Sequence, residues 1–190
     1  MPSGFDLFLR FAEGCRHYMD DRGTISPEDS REVYNYLHGN GPRPSEGTLR
    51  RVYYVAWPGL RRVSRRLRRG MFDIEVVREF YAFDHNKMKL EQGNLICIAY
   101  PARVIKVNAP KDVLIDLEPV RGTFRVETSM PLKVGDWVMT HRMQVIERVD
   151  IAFAGRAAGY LRELGLDKTR KFPRKAYKYL TDLRFSGTKA

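Results

Sequence analysis

The spacing of apolar residues changes near residue 94. Before this point apolar positions recur every three or four residues, which predicts amphipathic helices. Residues able to cap a helix start stand ahead of these patterns at Ser3, Ser26, Ser45 and Asp73, and Pro27 directly follows one of them. Such capping residues are typical helix start signals. Residues 1–93 are therefore predicted to form a helical domain, with an Arg-rich helix at 60–69.

The middle of the chain has the pattern of short strands. Five apolar or alternating runs are separated by turn residues. They occupy residues 95–107, 112–118, 122–128, 134–141 and 144–150. Strands at this spacing are typical of a small antiparallel barrel such as the OB fold. The predicted class is α+β, with the helical domain at 1–93, a five-stranded OB-like antiparallel β-barrel at 94–150 and C-terminal helices at 151–190.

Positive charge is concentrated outside the predicted barrel. The chain carries 34 Lys and Arg against 23 Asp and Glu, a net charge of +11. Residues 1–93 hold 16 basic and 13 acidic side chains, residues 94–150 hold 8 and 7, and residues 151–190 hold 10 and 3. A soluble protein with such an excess attracts polyanions. The nearly neutral barrel is therefore predicted to be a scaffold for basic helices.

Two basic segments are the predicted nucleic-acid contacts. The window 47–72 contains eight arginines and no carboxylate, so its like charges are expected to favour a bound anion. The segment 168–178 mixes six cations with Phe172 and Tyr177, which suits stacked RNA bases, although a frayed basic tail would have the same composition. The predicted RNA-binding residues are Arg50, Arg51, Arg61, Arg62, Arg65, Arg66, Arg68, Arg69, Lys168, Arg170, Lys171, Arg174, Lys175 and Lys178.

These features favour a non-enzymatic, ribosome-associated RNA-binding protein that acts in translation control or subunit association, with rRNA or a ribosomal subunit as its partner. The chain has no Gly-rich phosphate loop, paired-Cys motif or nucleophile elbow, so we predict neither an enzyme nor a cofactor or resident metal. The excess of Arg over Lys and the two Gln are weakly typical of thermophilic proteins.

The predicted location is the cytoplasm. No apolar run approaches the ~20 residues needed to cross a bilayer, and the first residues lack the pattern of a signal peptide. The two cysteines, Cys15 and Cys97, are far apart in sequence, which argues against a disulfide framework. Because no run is long enough to cross a bilayer, we expect no membrane partner.

Two motifs in the barrel region suggest a different function. They are Cys97-Ile-Ala-Tyr-Pro101 and Val134-Gly-Asp-Trp-Val-Met-Thr-His141. With them, residues 95–165 resemble the hydrogenase-assembly chaperones of the HypC/HupF type. The resemblance implies an OB-like barrel with a C-terminal helix, in which the cysteine, helped by the histidine, handles the iron-cyanide-carbonyl unit of a nickel-iron hydrogenase. Cys97 and His141 would then contact the metal, and the partner would be a hydrogenase-maturation protein.

The state of Cys97 and a third possible function are two further expectations. Flanked by Leu95, Ile96 and Ile98, Cys97 is predicted to be internal to a strand and buried as a small apolar residue. In the family the cysteine stands at the N-terminus, whereas here 96 residues precede it.

A third hypothesis is a protein–protein or self-association module, for example a homodimer. Trp57, the aromatic-rich helices and the arginines have the composition of an interface centre.

Overall fold

The chain folds into two compact units, one up to Asp84 and one from His85 onwards. The structure is a computed structural model that describes residues 3–20 and 23–168, and of residues 17–20 the backbone only. The threefold division at residues 93/94 and 150/151 stays a prediction.

The first unit is built from helices. They are α1 (Gly4–Asp20), α2 (Pro27–Leu37), α3 (Glu46–Val52), α4 (Trp57–Leu67) and α5 (Ile74–Glu79). The side chains of Ser26, Ser45 and Asp73 accept hydrogen bonds from backbone N–H groups at the starts of α2, α3 and α5, as the sequence predicts. Pro58 lies in the first turn of α4, where a missing N–H is tolerated.

Aromatic side chains form much of the core of the first unit. Phe11 stacks on Tyr81 with ring centroids 4.4 Å apart, and Phe8 meets the ring of Tyr53 edge-on at 5.2 Å. Gly59 on α4 lies so close to Phe80 that a Cβ atom at this position would be 2.4 Å from a ring carbon. The absence of a side chain at Gly59 therefore permits the close approach of α4 to this aromatic core.

The helix that Asp73 caps leads into further helical turns beyond its predicted end. The helix begun by Asp73 is expected to end around residues 84–86, but α5 is followed by a π-helical turn at Phe80–His85 and then by α6 (Asn86–Glu91). A π-helical turn inserts one extra residue into a helix, and such turns occur often at functional sites. The inserted residue changes the direction in which the later side chains point, and His85 at the end of the turn is buried.

The second unit contains a five-stranded antiparallel sheet. Its strands are β1 (Ala99–Ala109), β2 (Asp112–Leu117), β3 (Thr123–Glu127), β4 (Trp137–His141) and β5 (Gln144–Val149). Their order across the sheet is β3-β2-β1-β4-β5. The central strand β1 pairs with β4 from Ala99 opposite His141, and with β2 from Ala102 opposite Leu117. The residues of the candidate site lie at the end of this β1–β4 ladder.

The fold confirms the α+β class with a five-stranded antiparallel sheet and a helix after it. Asp150 caps α7 (Ile151–Glu163) directly after β5, and α7 contacts β1 and β4. Within residues 85–168 no backbone ladder joins the edge strands β3 and β5, although some of their Cα atoms lie within 8 Å. The sheet is therefore strongly curved but is not a closed barrel.

Alternation along the strands places one face of the sheet in the core of the second unit. Val113, Ile115 and Leu117 of β2 are buried at every second position, and Leu161 of α7 joins the same cluster. Among the described residues, no helix combines the length and the apolar character needed to traverse a bilayer.

Candidate functional site

Cys97 lies at the entrance to the central strand. It ends a short 3-10 turn, Leu95–Cys97, and is therefore not internal to a strand as predicted. Asn94 holds this turn through its side-chain oxygen, which accepts a hydrogen bond from the Cys97 N–H at 3.3 Å. The Cys97 side chain is buried, as expected, with 6% of the residue exposed. Its surroundings are not purely apolar, because Nη1 of Arg142 donates to Sγ at 3.5 Å.

His141 reaches Cys97 from the end of β4. Its Nε2 lies 3.1 Å from the carbonyl oxygen of Cys97, and both residues are buried. Because a carbonyl oxygen can only accept, this contact assigns a proton to Nε2 of His141. The Sγ atom of Cys97 and a ring nitrogen of His141 lie within 4.8 Å of one another. Pairing of β1 with β4 thus brings together two residues that are 44 positions apart.

A strained turn directs Arg142 towards the thiol. Arg142 and Met143 connect β4 to β5, and both have positive φ angles, of 48° and 61°. Two-residue hairpin turns with positive φ at both positions strongly favour Asn-Gly. A left-handed conformation costs a residue with a side chain about 1–2 kcal/mol. Such strain is often found at functional sites, and here it occurs at an arginine residue of which only 9% is exposed.

A second histidine packs against His141. The ring centroids of His85 and His141 are 5.2 Å apart and the rings are nearly perpendicular. Burial holds the pKa of His85 well below its usual value, and the nearby His141 and Lys89 lower this pKa further. His85 is therefore neutral at neutral pH. The sequence places His85 only beside a predicted helix end, and no motif indicates its contact with His141.

Asn86 anchors the strand that begins just after Cys97. Its side-chain Nδ2 donates to the carbonyl oxygen of Ala99 at 2.8 Å, and its Oδ1 accepts from the Ala99 N–H at 2.7 Å. Strand β2 pairs with β1 only from Ala102 onwards. The amide of Asn86 therefore supplies the hydrogen bonds that a neighbouring strand would otherwise make to the first residue of β1. Sequence reasoning missed this buried residue, because a single Asn in a helical pattern carries no distinctive signal.

Four of the eight arginines in the window 47–72 have acidic partners in the first unit. The prediction rested on the lack of carboxylates in residues 47–72, but the partners come from helices outside that window. Arg66 contacts Glu79 at 3.1 Å and Asp84 at 3.3 Å. The other ion pairs are Arg51–Asp29, Arg62–Asp84, Arg69–Asp73 and Arg69–Glu75. The arginines at these positions therefore need no bound anion to relieve their mutual repulsion.

The other predicted contacts are divided between exposed and undescribed positions. Four arginines are exposed and form no ion pair with any residue that the structure describes. They are Arg50, Arg61, Arg65 and Arg68. Lys168 in the second unit lies 3.2 Å from Glu118. The remaining predicted contacts lie outside the described residues. They are Arg170, Lys171, Arg174, Lys175 and Lys178.

The segment that carries the Cys97 site matches a known family. The family model described as HupF/HypC matches residues 96–161. The hydrogenase maturation factor HypC of Cupriavidus necator is 32% identical over 69 residues, which cover 36% of this chain and 77% of that protein. The chain belongs to the HupF/HypC family. This confirms the resemblance based on the two motifs. No solved structure matches the chain significantly.

Membership in the HupF/HypC family corrects the main functional prediction. The prediction of an RNA-binding, ribosome-associated protein with rRNA or a ribosomal subunit as partner is wrong, because the matching family is HupF/HypC and the similar curated protein is a hydrogenase maturation factor. The error came from counting charges along the sequence. Carboxylates of neighbouring helices balance several of the arginines that the prediction treated as unpaired.

Proposed function

We propose that this chain is a HypC-type chaperone in the maturation of a nickel-iron hydrogenase, with an iron unit as its cargo. The observation that supports this most strongly is the meeting of Cys97 and His141, the cysteine and histidine of the two family motifs. In this proposal the chain is an assembly factor and not an enzyme. It acts in the cytoplasm and hands its cargo to another hydrogenase-maturation protein.

The side chains at the site suit an iron cargo. Thiolate and imidazole are both ligands that bind iron in proteins. A nearby guanidinium group favours the thiolate form of a cysteine, and Arg142 supplies such a group at 3.5 Å from Sγ. His141 adds an imidazole to the site, with a ring nitrogen within 4.8 Å of the Sγ atom of Cys97.

Loading the cargo requires the thiol to become accessible. Cys97 is only 6% exposed, and the side chain of Arg142 contacts its Sγ atom. In our proposal Arg142 moves away when the iron unit binds. The turn at Arg142 and Met143 is suited to such a movement, because leaving the left-handed conformation would release about 1–2 kcal/mol at each residue. The cargo would then replace the guanidinium group as the partner of the thiolate.

The test is to purify Cys97→Ala without oxygen from cells that make a nickel-iron hydrogenase, and to measure two properties. These are the iron content and the capture of a hydrogenase-maturation partner. We expect the variant to lose the iron and the infrared bands of bound cyanide and carbonyl, and to fail to capture the partner. Val113→Ala is the control, because Val113 is buried on β2 and its truncation destabilises the same unit without touching the site. Equal losses in both variants, or no loss in Cys97→Ala, would contradict the proposal.

A further inference from the structure

The first unit has a surface pocket with an unusual lining. It lies at the connection between α3 and α4. Its lining includes two aromatic residues, Tyr54 and Trp57, and three arginines, Arg50, Arg61 and Arg65. We call this feature the arginine pocket. The three arginines are exposed, Tyr54 is 50% exposed and Trp57, at 7%, is largely covered. The pocket thus combines positive charge with an accessible aromatic surface.

The charges at the arginine pocket are not balanced within the described chain. Among the described residues no carboxylate lines the pocket, and none forms an ion pair with Arg50, Arg61 or Arg65. Arg62, which also borders the pocket, contacts Asp84, although at 3.3 Å and with 68% of its side chain exposed. Like charges held this close together repel one another, so an anionic occupant would be attracted.

We infer that the arginine pocket binds an acidic segment of a partner protein, one that also presents an aromatic or aliphatic side chain. Arginine forms bidentate contacts with carboxylates, and Arg, Trp and Tyr are the residues that most often dominate protein–protein binding. In this arrangement carboxylates of the partner contact Arg50, Arg61 and Arg65, while its apolar side chain covers Tyr54 beside Trp57.

The surroundings favour a protein segment over a nucleic acid. A nucleic-acid backbone repeats its charge along its length and needs a continuous row of cations. Directly after Arg65, Arg66 near the end of α4 and Arg69 just beyond it are engaged by four carboxylates. These are Glu79, Asp84, Asp73 and Glu75. Phosphates that extended beyond the pocket in this direction would meet these acids, whereas a short acidic segment can end within it.

The inference is tested with the full-length protein and a fluorescent peptide in which glutamates flank one phenylalanine. Fluorescence anisotropy gives its dissociation constant. We expect Arg61→Glu to weaken binding by about tenfold or more and Tyr54→Ala to weaken it by a similar factor. Arg31→Glu makes the same change of charge on α2, outside the pocket. It should weaken binding by less than about threefold, since long-range charge effects are screened by salt.

Two further probes separate the possible occupants. A peptide with glutamine in place of glutamate should bind at least about tenfold more weakly. A single-stranded RNA of similar length should bind with no greater loss in Arg61→Glu than in Arg31→Glu. No binding of the acidic peptide, equal losses in the two arginine variants, or pocket-dependent binding of the RNA alone would each overturn the inference. None of these results depends on Cys97, so the inference stands or falls separately from the proposed chaperone function.

Discussion

Replacing Asn86 by alanine removes both hydrogen bonds to the first residue of β1. The N–H and carbonyl groups of Ala99 are buried, and Asn86 bonds them at 2.7 and 2.8 Å. A buried polar group that loses its partner costs about 1–3 kcal/mol. Two such groups give an expected loss of about 2–6 kcal/mol for Asn86→Ala. This is a large part of the ~5–15 kcal/mol that stabilises a typical domain.

Urea denaturation followed by the fluorescence of Trp137 measures this loss. Trp137 lies on β4 of the second unit, so the experiment uses a Trp57→Phe background to silence the first unit. Gln92→Ala is the matched control, because it removes an exposed amide just after α6 and should cost less than about 0.5 kcal/mol. If Asn86→Ala and Gln92→Ala unfolded at the same urea concentration, the assignment of Asn86 as the anchor of β1 would be refuted.

Two more predictions concern the buried histidine and the close helix contact. The pKa of His85 is lowered in the folded state, so below about pH 6.5 the unfolded chain takes up a proton that the folded chain does not. Stability should therefore fall by up to about 1.4 kcal/mol per pH unit as the pH drops below this value. Urea titrations should show a smaller fall for His85→Gln, and equal slopes would contradict this account. Gly59→Ala places a Cβ atom 2.4 Å from the Phe80 ring. The clash, worth about 1–3 kcal/mol, should outweigh the gain in helix propensity of about 1 kcal/mol, so we expect a net loss. Gly155→Ala on α7, where a Cβ atom meets nothing within 4 Å, should instead stabilise the protein, and thermal unfolding compares the two variants.

The parts of the fold that were predictable depend on local patterns. Alternating apolar residues indicated all five strands, since inward and outward side chains must alternate on a half-buried sheet. Capping by Ser26, Ser45 and Asp73 was predictable because it involves atoms two or three residues apart. The pairing of Cys97 with His141 followed only from the family resemblance, because no local pattern links residues at that separation.

The parts that were not predictable depend on contacts between distant segments. The ion pairs of Arg62 and Arg66 with Asp84 span 22 and 18 residues, so a count of charges within one window could not include them. The π-helical turn that ends at His85 has no signature in apolar spacing, and the contact of His85 with His141 was missed for that reason. Arg142 was overlooked as a site residue because the gap between the runs 134–141 and 144–150 indicates a short turn but not the direction of its side chains.

The position of the site at the end of the β1–β4 ladder has a consequence for local opening. Ala99 and His141 are the terminal pair of this ladder, and they join segments that lie far apart in sequence. Terminal pairs of a sheet exchange their amide hydrogens faster than central ones, because they separate without unfolding the whole unit. We expect the amides next to Cys97 to exchange before those of Ala102 and Val138, which lie further along the ladder where β2 also pairs with β1. Such fraying would expose the thiol briefly in a chain whose core remains folded, and hydrogen exchange would give the fraction of time for which a partner can reach it.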